Sequence, residues 1–114
     1  MTQTKRSNRI GHEMGSRNVY ADLGMPDADT MLVKAQLVTK IAEILEGRAL
    51  TQAKAAEILG VPQPKLSRLL RGQFRGFSER KLMDCLTRLG RDIQIVVSES
   101  GRRRGSGSVS VVFG

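Results

Sequence analysis

Polar side chains of the types that can contact DNA bases are interleaved with leucines in the middle of the chain. Gln63 and Arg68 fall within residues 51–72 and are interleaved with the apolar Leu66 and Leu69. At 3.6 residues per turn, the leucines define one side of a helix and leave the polar side chains on the other. Glutamine can form two hydrogen bonds with adenine in the major groove, and arginine two with guanine. The pattern predicts DNA binding, against the alternative of a basic face that is only solvated.

The remaining reactive side chains do not combine into a catalytic or metal site. The single histidine, His12, has no second histidine to share a metal or a proton. The single cysteine, Cys85, excludes an internal disulfide and falls inside a predicted helix, where it is expected to pack as a small apolar residue. Asp27 and Asp29 are interpreted as helix-start residues. We therefore predict no enzyme activity, no cofactor and no metal.

The charge of the chain also favours a polyanionic partner. The 114 residues include 19 Lys and Arg against 11 Asp and Glu, for a net charge of +8. Residues 51–91 hold nine basic and three acidic side chains, so most of the positive charge lies in a segment predicted to fold. Such a segment indicates a shaped basic surface, and nucleic acid is its first candidate ligand. Aromatic residues make up only 4%, which argues against a base-stacking platform.

Four helices are predicted to position these side chains. The first follows Asp27 and ends at Gly47, the second runs from the N-cap Thr51 to Gly60, and the third ends at about Leu70. A fourth is capped by Ser78. After residue 91 the apolar period changes to two, so residues 92–98 and 109–113 are predicted strands.

These elements divide the chain into three parts. Residues 1–17 are interpreted as a flexible basic segment and residues 18–91 as a DNA-binding domain whose helix-turn-helix motif spans about 51–71. Residues 92–114 are interpreted as a C-terminal β-hairpin or strand whose apolar side chains either pack on the chain's own helices or form an exposed edge that contacts a second subunit or a partner. No apolar stretch is long enough for a membrane span, and the N-terminus lacks the apolar core of a secretory signal, so a cytoplasmic, nucleoid-associated protein is expected.

The segment between the second and third helices has the residue types that a helix-turn-helix requires. Ala56 is small where the two helices cross, Gly60 permits a positive φ in the turn, and Val61 and Leu66 are apolar where the second helix faces the core. Here the chain resembles the lambda-repressor-like, or XRE, family of DNA-binding proteins over about residues 18–98. The matching residues are Gln52, Ala56, Gly60, Val61, Gln63, Leu66, Ser67, Leu69, Arg71 and Gly72.

The resemblance implies a fold and a set of DNA contacts. The fold is a mainly α, lambda-repressor-like helix-turn-helix bundle with a short C-terminal β-element. The implied base contacts are made by Gln63 and Arg68. Further contacts to bases or phosphates are assigned to Lys65 and Ser67, and contacts to phosphates to Gln52, Arg71 and Arg75. Pro64 departs from the family's usual polar residue, and it contacts a thymine methyl group or nothing.

The implied function is transcriptional repression by a homodimer on double-stranded DNA with a palindromic operator. Residues 18–24, 76–78 and 89–97 are similar to a subgroup with HigA-type antitoxins. That similarity implies a second role, the neutralisation of a RelE-superfamily toxin of the HigB kind in a toxin–antitoxin pair that regulates its own operon. The alternatives are a stand-alone or phage-type regulator without a toxin, and a protein-interaction module that does not bind DNA.

Overall fold

The computed structural model describes residues 18–24, 27–101 and 106–114, and within them the chain is mainly helical. Five helices follow one another along the chain: α1 (Val19–Asp22), α2 (Ala28–Gly47), α3 (Gln52–Leu59), α4 (Gln63–Leu70) and α5 (Glu79–Arg88). The basic segment 1–17 and the three arginines at 102–104, about which the sequence raised predictions, lie outside the described residues.

Side-chain caps fix the starts of α3 and α5 where the sequence predicted them. The Thr51 hydroxyl accepts a hydrogen bond from the Lys54 backbone N–H at 3.1 Å. The Ser78 hydroxyl accepts one from Lys81 at 3.0 Å. Each cap satisfies an N–H group that has no partner inside the helix, which is worth about 1 kcal/mol.

A short helix, α1, precedes the four predicted ones. Asn18 caps it by accepting a hydrogen bond from the Ala21 N–H, and the Asn18 amide also donates to the Asp29 carboxylate at 3.0 Å. Because Asp29 lies in the first turn of α2, this bond ties α1 to the long helix. Tyr20 adds apolar contact with the core.

One hydrophobic core joins α2, α3, α4 and α5. The long helix α2 packs on α5, and α3 packs on both α4 and α5. The side chains that lose all contact with solvent come from every one of these helices; they are Ile41, Leu59, Leu66, Leu69, Leu82 and Cys85. Each buried leucine or isoleucine contributes roughly 1.5–3 kcal/mol. Since α4 supplies two of them, its orientation is set by the core.

The expected C-terminal β-element is not formed. Among the described residues 92–101 and 106–114 there is neither helix nor strand. The apolar side chains of the predicted strands are largely solvated, with Ile95 76% and Val97 91% exposed. Only Val111 packs partly against the core, while the ammonium group of Lys40 lies 4.8 Å from the Phe113 ring centroid. The prediction was wrong for the single chain because two short strands with no apolar surface behind them gain too little from pairing.

Candidate nucleic-acid interface

A three-residue turn, residues 60–62, joins α3 to α4 and sets the angle between them. Gly60 ends α3 in the left-handed region, with φ +68° and ψ +36°. The Val61 N–H then donates to the Ala56 carbonyl at 3.1 Å, and the Val61 side chain is buried. Glycine adopts this conformation without steric cost, whereas other residues do not. The chain therefore reverses sharply, and α4 begins at Gln63, three residues after Gly60.

The core fixes which face of α4 meets solvent. Leu66 and Leu69 are fully buried and Leu70 is half-buried, whereas Gln63 and Arg68 are exposed. In the part of the chain that the structure describes, neither Gln63 nor Arg68 has a side-chain hydrogen bond or an ion pair. Both side chains are thus available to an external ligand. An amide and a guanidinium can each offer two hydrogen bonds to a base edge.

Pro64 does not disturb the start of α4. Pro62 is the N-cap, and the N–H groups of Lys65 and Leu66 both donate to its carbonyl at 3.0 Å. Pro64 is therefore the second helical residue, where a backbone N–H would have no partner inside the helix. Its ring is exposed beside Gln63.

Other predicted contact residues are held by partners within the chain. Arg71, the C-cap of α4, donates from Nη1 to the hydroxyl of Ser67 at 3.2 Å. The Lys65 ammonium lies 5.5 Å from the centroid of the Phe77 ring, within cation–π distance. These contacts fix the positions of the Lys65, Ser67 and Arg71 side chains along α4 and its C-cap. Each of the three side chains keeps access to solvent.

Arg75 lies on the loop after α4 and is attached to the start of α2. Its guanidinium forms an ion pair with the Asp27 carboxylate, whose other oxygen, Oδ1, is buried without a hydrogen bond to any described residue. The backbone carbonyl of Arg75 accepts a hydrogen bond from the Lys34 ammonium at 2.8 Å. Lys34 is only 9% exposed, so this bond holds the loop from inside the protein.

Gln52 is the first residue of α3 and is exposed. The Thr51 hydroxyl accepts a hydrogen bond from the Lys54 N–H, and the Ala55 N–H donates to the Thr51 carbonyl at 2.9 Å. In the described part of the chain the N–H groups of Gln52 and Ala53 have no such partner. Free N–H groups at the positive end of a helix can receive a phosphate oxygen.

Two residues near this surface escaped the sequence prediction. Lys34 lies three residues after Met31 and four before Val38, on the apolar side of α2, and a lysine in such a row signals a buried hydrogen bond. Arg88 lies over the turn, 3.0 Å from where a side chain at Gly60 would begin. Its hydrogen bond to Asp84, aided by the charges of Arg88 and Lys81, lowers the pKa of that carboxyl.

The described residues contain no group of acidic, histidine or cysteine side chains able to hold a metal ion. Cys85 is fully buried, and burial raises the pKa of its thiol. A protonated, inaccessible thiol is a poor nucleophile. Nor does any helix in the described ranges have the length and hydropathy to cross a membrane.

Two helices joined by a glycine turn, with the second one amphipathic and basic outside, define a helix-turn-helix domain of the DNA-binding class. A family model for a helix-turn-helix domain matches residues 19–98. The solved structure of a "Putative XRE Family Transcriptional Regulator" is 36% identical, with a TM-score of 0.72, and the match covers 78% of this chain and 100% of that one. No curated protein matches the chain.

The chain therefore belongs to the XRE family of helix-turn-helix proteins. The resemblance inferred from the sequence is confirmed at that level, and so is the mainly helical fold. Membership points to a DNA-binding transcription regulator and away from an enzyme.

Proposed function

We propose that the protein is a sequence-specific transcriptional repressor that inserts α4 into the major groove of a palindromic operator as a homodimer. One observation supports this most directly. Gln63 and Arg68 project from a helix whose orientation is fixed by buried Leu66 and Leu69, and neither side chain has a partner in the described part of the chain. A rigid helix with two uncommitted bidentate groups suits base recognition.

In this proposal the other predicted residues position the domain on the phosphate backbone. Lys65 and Ser67 contact a base or a phosphate, Gln52 receives a phosphate at the N-terminus of α3, and Arg71 and Arg75 contact phosphates. Pro64 faces a thymine methyl group or makes no contact. A bound dimer would cover promoter DNA in the cytoplasm, where the protein would associate with the nucleoid.

The test is binding to the DNA immediately upstream of the protein's own gene, measured by fluorescence anisotropy at two salt concentrations. We expect Gln63→Ala and Arg68→Ala each to cost about 1–3 kcal/mol, or roughly 5- to 150-fold in Kd. Arg80→Ala is the matched control, since Arg80 is an exposed arginine on α5 with no partner in the described residues and outside the proposed contact set.

Three results would contradict the repressor proposal. Equal losses for Arg68→Ala and Arg80→Ala would indicate a non-specific effect of charge. Equal affinity for scrambled DNA, lost at high salt, would indicate a generic basic surface. No binding to any DNA would favour the protein-interaction module.

We infer a second role as an antitoxin from the similarity of residues 18–24, 76–78 and 89–97 to HigA-type proteins. In that role the protein would bind and neutralise a RelE-type ribonuclease toxin of the HigB kind and repress the shared operon. The test is co-expression with any toxin-sized reading frame next to the gene. Rescue of growth together with co-purification would support the role, and the absence of such a frame would favour a stand-alone or phage-type regulator.

A further inference from the structure

The C-terminal segment 91–99 leaves α5 with a row of uncovered apolar side chains. Ile93, Ile95 and Val97 alternate along the chain, and their exposed fractions rise from 39% to 91%. No backbone hydrogen bond joins residues 92–99 to residues 106–114 within the described part of the chain. A β-branched stretch with free backbone groups and alternating apolar side chains is suited to pairing with another strand.

The two ends of the C-terminal segment nevertheless have defined positions. At one end it continues directly from the last turn of α5, where the Arg91 N–H donates to the Leu86 carbonyl at 3.0 Å. Farther along, the chain folds back, because a side chain built on Gly107 would begin 3.7 Å from the Ser100 Cβ. The return segment packs on the core through Val111, and its Phe113 ring lies 4.8 Å from the ammonium group of Lys40 on α2. Residues 92–99 are therefore presented outward from a fixed base.

We propose that residues 91–99 form an antiparallel strand pair with the same segment of a second copy of this chain, centred on Ile95. This inference rests on the homodimer proposed above and specifies its interface. The register follows from the sequence: with Ile95 opposite Ile95 of the other copy, Ile93 meets Val97 and Arg91 meets Glu99. Apolar residues then pair in the middle, and opposite charges pair at both ends.

Charge favours a second copy as the occupant of this strand edge. The chain carries +8, so most pairs of surfaces from two copies repel each other. Residues 93–98 carry no charge, and their flanking charges are complementary only when the strands run in opposite directions. Shifting the pairing by two residues places Arg91 opposite Val97 or Gly101 and loses both ion pairs. A two-fold axis through Ile95 would also relate the two α4 helices, as a palindrome requires.

The test is disulfide cross-linking of the full chain without DNA, so its outcome is independent of DNA binding. In the proposed register, residue 95 lies about 4.5–5.5 Å from its copy between Cα atoms, which a disulfide can span. Residue 96 lies on a diagonal of about 7–8 Å, which is at or beyond the limit for a disulfide. Ile95→Cys and Val96→Cys are matched variants, because both native side chains are 76% exposed.

We expect mild oxidation to convert Ile95→Cys largely to a covalent dimer and to leave Val96→Cys and the wild-type chain, whose only cysteine is buried, mainly monomeric on non-reducing gels. Equal cross-linking of the two variants, or none at residue 95, would overturn the proposal. If residues 91–99 instead pair with the chain's own residues 106–114, no cross-link forms at residue 95.

Sedimentation equilibrium gives an independent readout of the same register. Ile95→Lys places two ammonium groups opposite each other and should raise the dimer Kd at least tenfold, whereas Val96→Lys should leave it within about threefold. Arg91→Glu and Glu99→Arg should each weaken the dimer a few-fold, and the double variant should restore it. A wild-type chain that stays monomeric at high micromolar concentration, or a double variant weaker than both singles, would refute the pairing.

Discussion

Replacing Gly60 by alanine tests whether the turn between α3 and α4 depends on a left-handed residue. Gly60 has φ +68°, a conformation that costs a residue with a side chain about 1–2 kcal/mol. The first atom met by a new Cβ would be Arg88 Nη1 at 3.0 Å, the far end of a flexible side chain, so steric conflict adds little. Alanine also loses less chain entropy on folding, which returns roughly 0.4–1 kcal/mol. The net expected destabilisation is about 1 kcal/mol.

Gly47→Ala is the matched control for this substitution. Gly47 is the last residue of α2, has no positive φ, and has open space around it. Alanine there should stabilise the protein by about 0.5–1 kcal/mol, because glycine is unfavourable in a helix. Urea unfolding followed by far-UV circular dichroism should thus give changes of opposite sign for one chemical substitution. Equal free-energy changes for the two variants would refute the claim that Gly60 is required for its backbone conformation.

Three further predictions follow from side chains around the same bundle. Leu66→Ala should lower the free energy of unfolding by about 2–5 kcal/mol, since Leu66 is fully buried; a loss below 1 kcal/mol in urea titrations would contradict its core position. Asp27→Asn should remove the carboxylate that competes with phosphate for Arg75 and so raise the affinity for DNA, because Arg75 no longer exchanges one ion pair for another on binding; an affinity that is unchanged or lower would show that Arg75 does not reach phosphate. Cys85 should resist Ellman's reagent at neutral pH until urea unfolds the protein, because burial raises its pKa; rapid labelling of the native protein would contradict this.

The sequence was sufficient for features that depend on local chemistry. Thr51 and Ser78 could be identified as caps because a hydroxyl before an apolar-periodic run has one favourable use. Gly60 was identified because few other residues tolerate such a turn. The orientation of α4 followed from the spacing of its leucines.

The features that were missed depend on contacts between distant parts of the chain. The bond from Lys34 to the Arg75 carbonyl spans 41 residues, and the ion pair between Arg75 and Asp27 spans 48. Neither can be derived from periodicity, which reports only which face of a helix is buried. The C-terminal strands were wrongly predicted for the single chain because an apolar alternation shows that a segment needs a partner without showing where the partner is.

The intramolecular contacts of the basic side chains indicate which of them contribute affinity and which contribute sequence specificity in the proposed DNA complex. Lys65 lies against Phe77, Arg71 is hydrogen-bonded to Ser67, and Arg75 is paired with Asp27. Side chains restrained in this way lose little entropy on meeting a phosphate but cannot easily reorient toward a base edge.

Gln63 and Arg68 are in the opposite situation, since neither has a partner in the described part of the chain. They lose conformational entropy when the ligand orders them, and this loss is offset only when a matching base offers two hydrogen bonds. Substitutions at positions 63 and 68 should therefore change which sequence is preferred. Substitutions at 71 and 75 should weaken all sequences alike and reduce the salt dependence. Affinity measured for the four alanine variants on operator and scrambled DNA separates the two groups, and a uniform loss across all four would show that the restraints seen around α4 do not govern recognition.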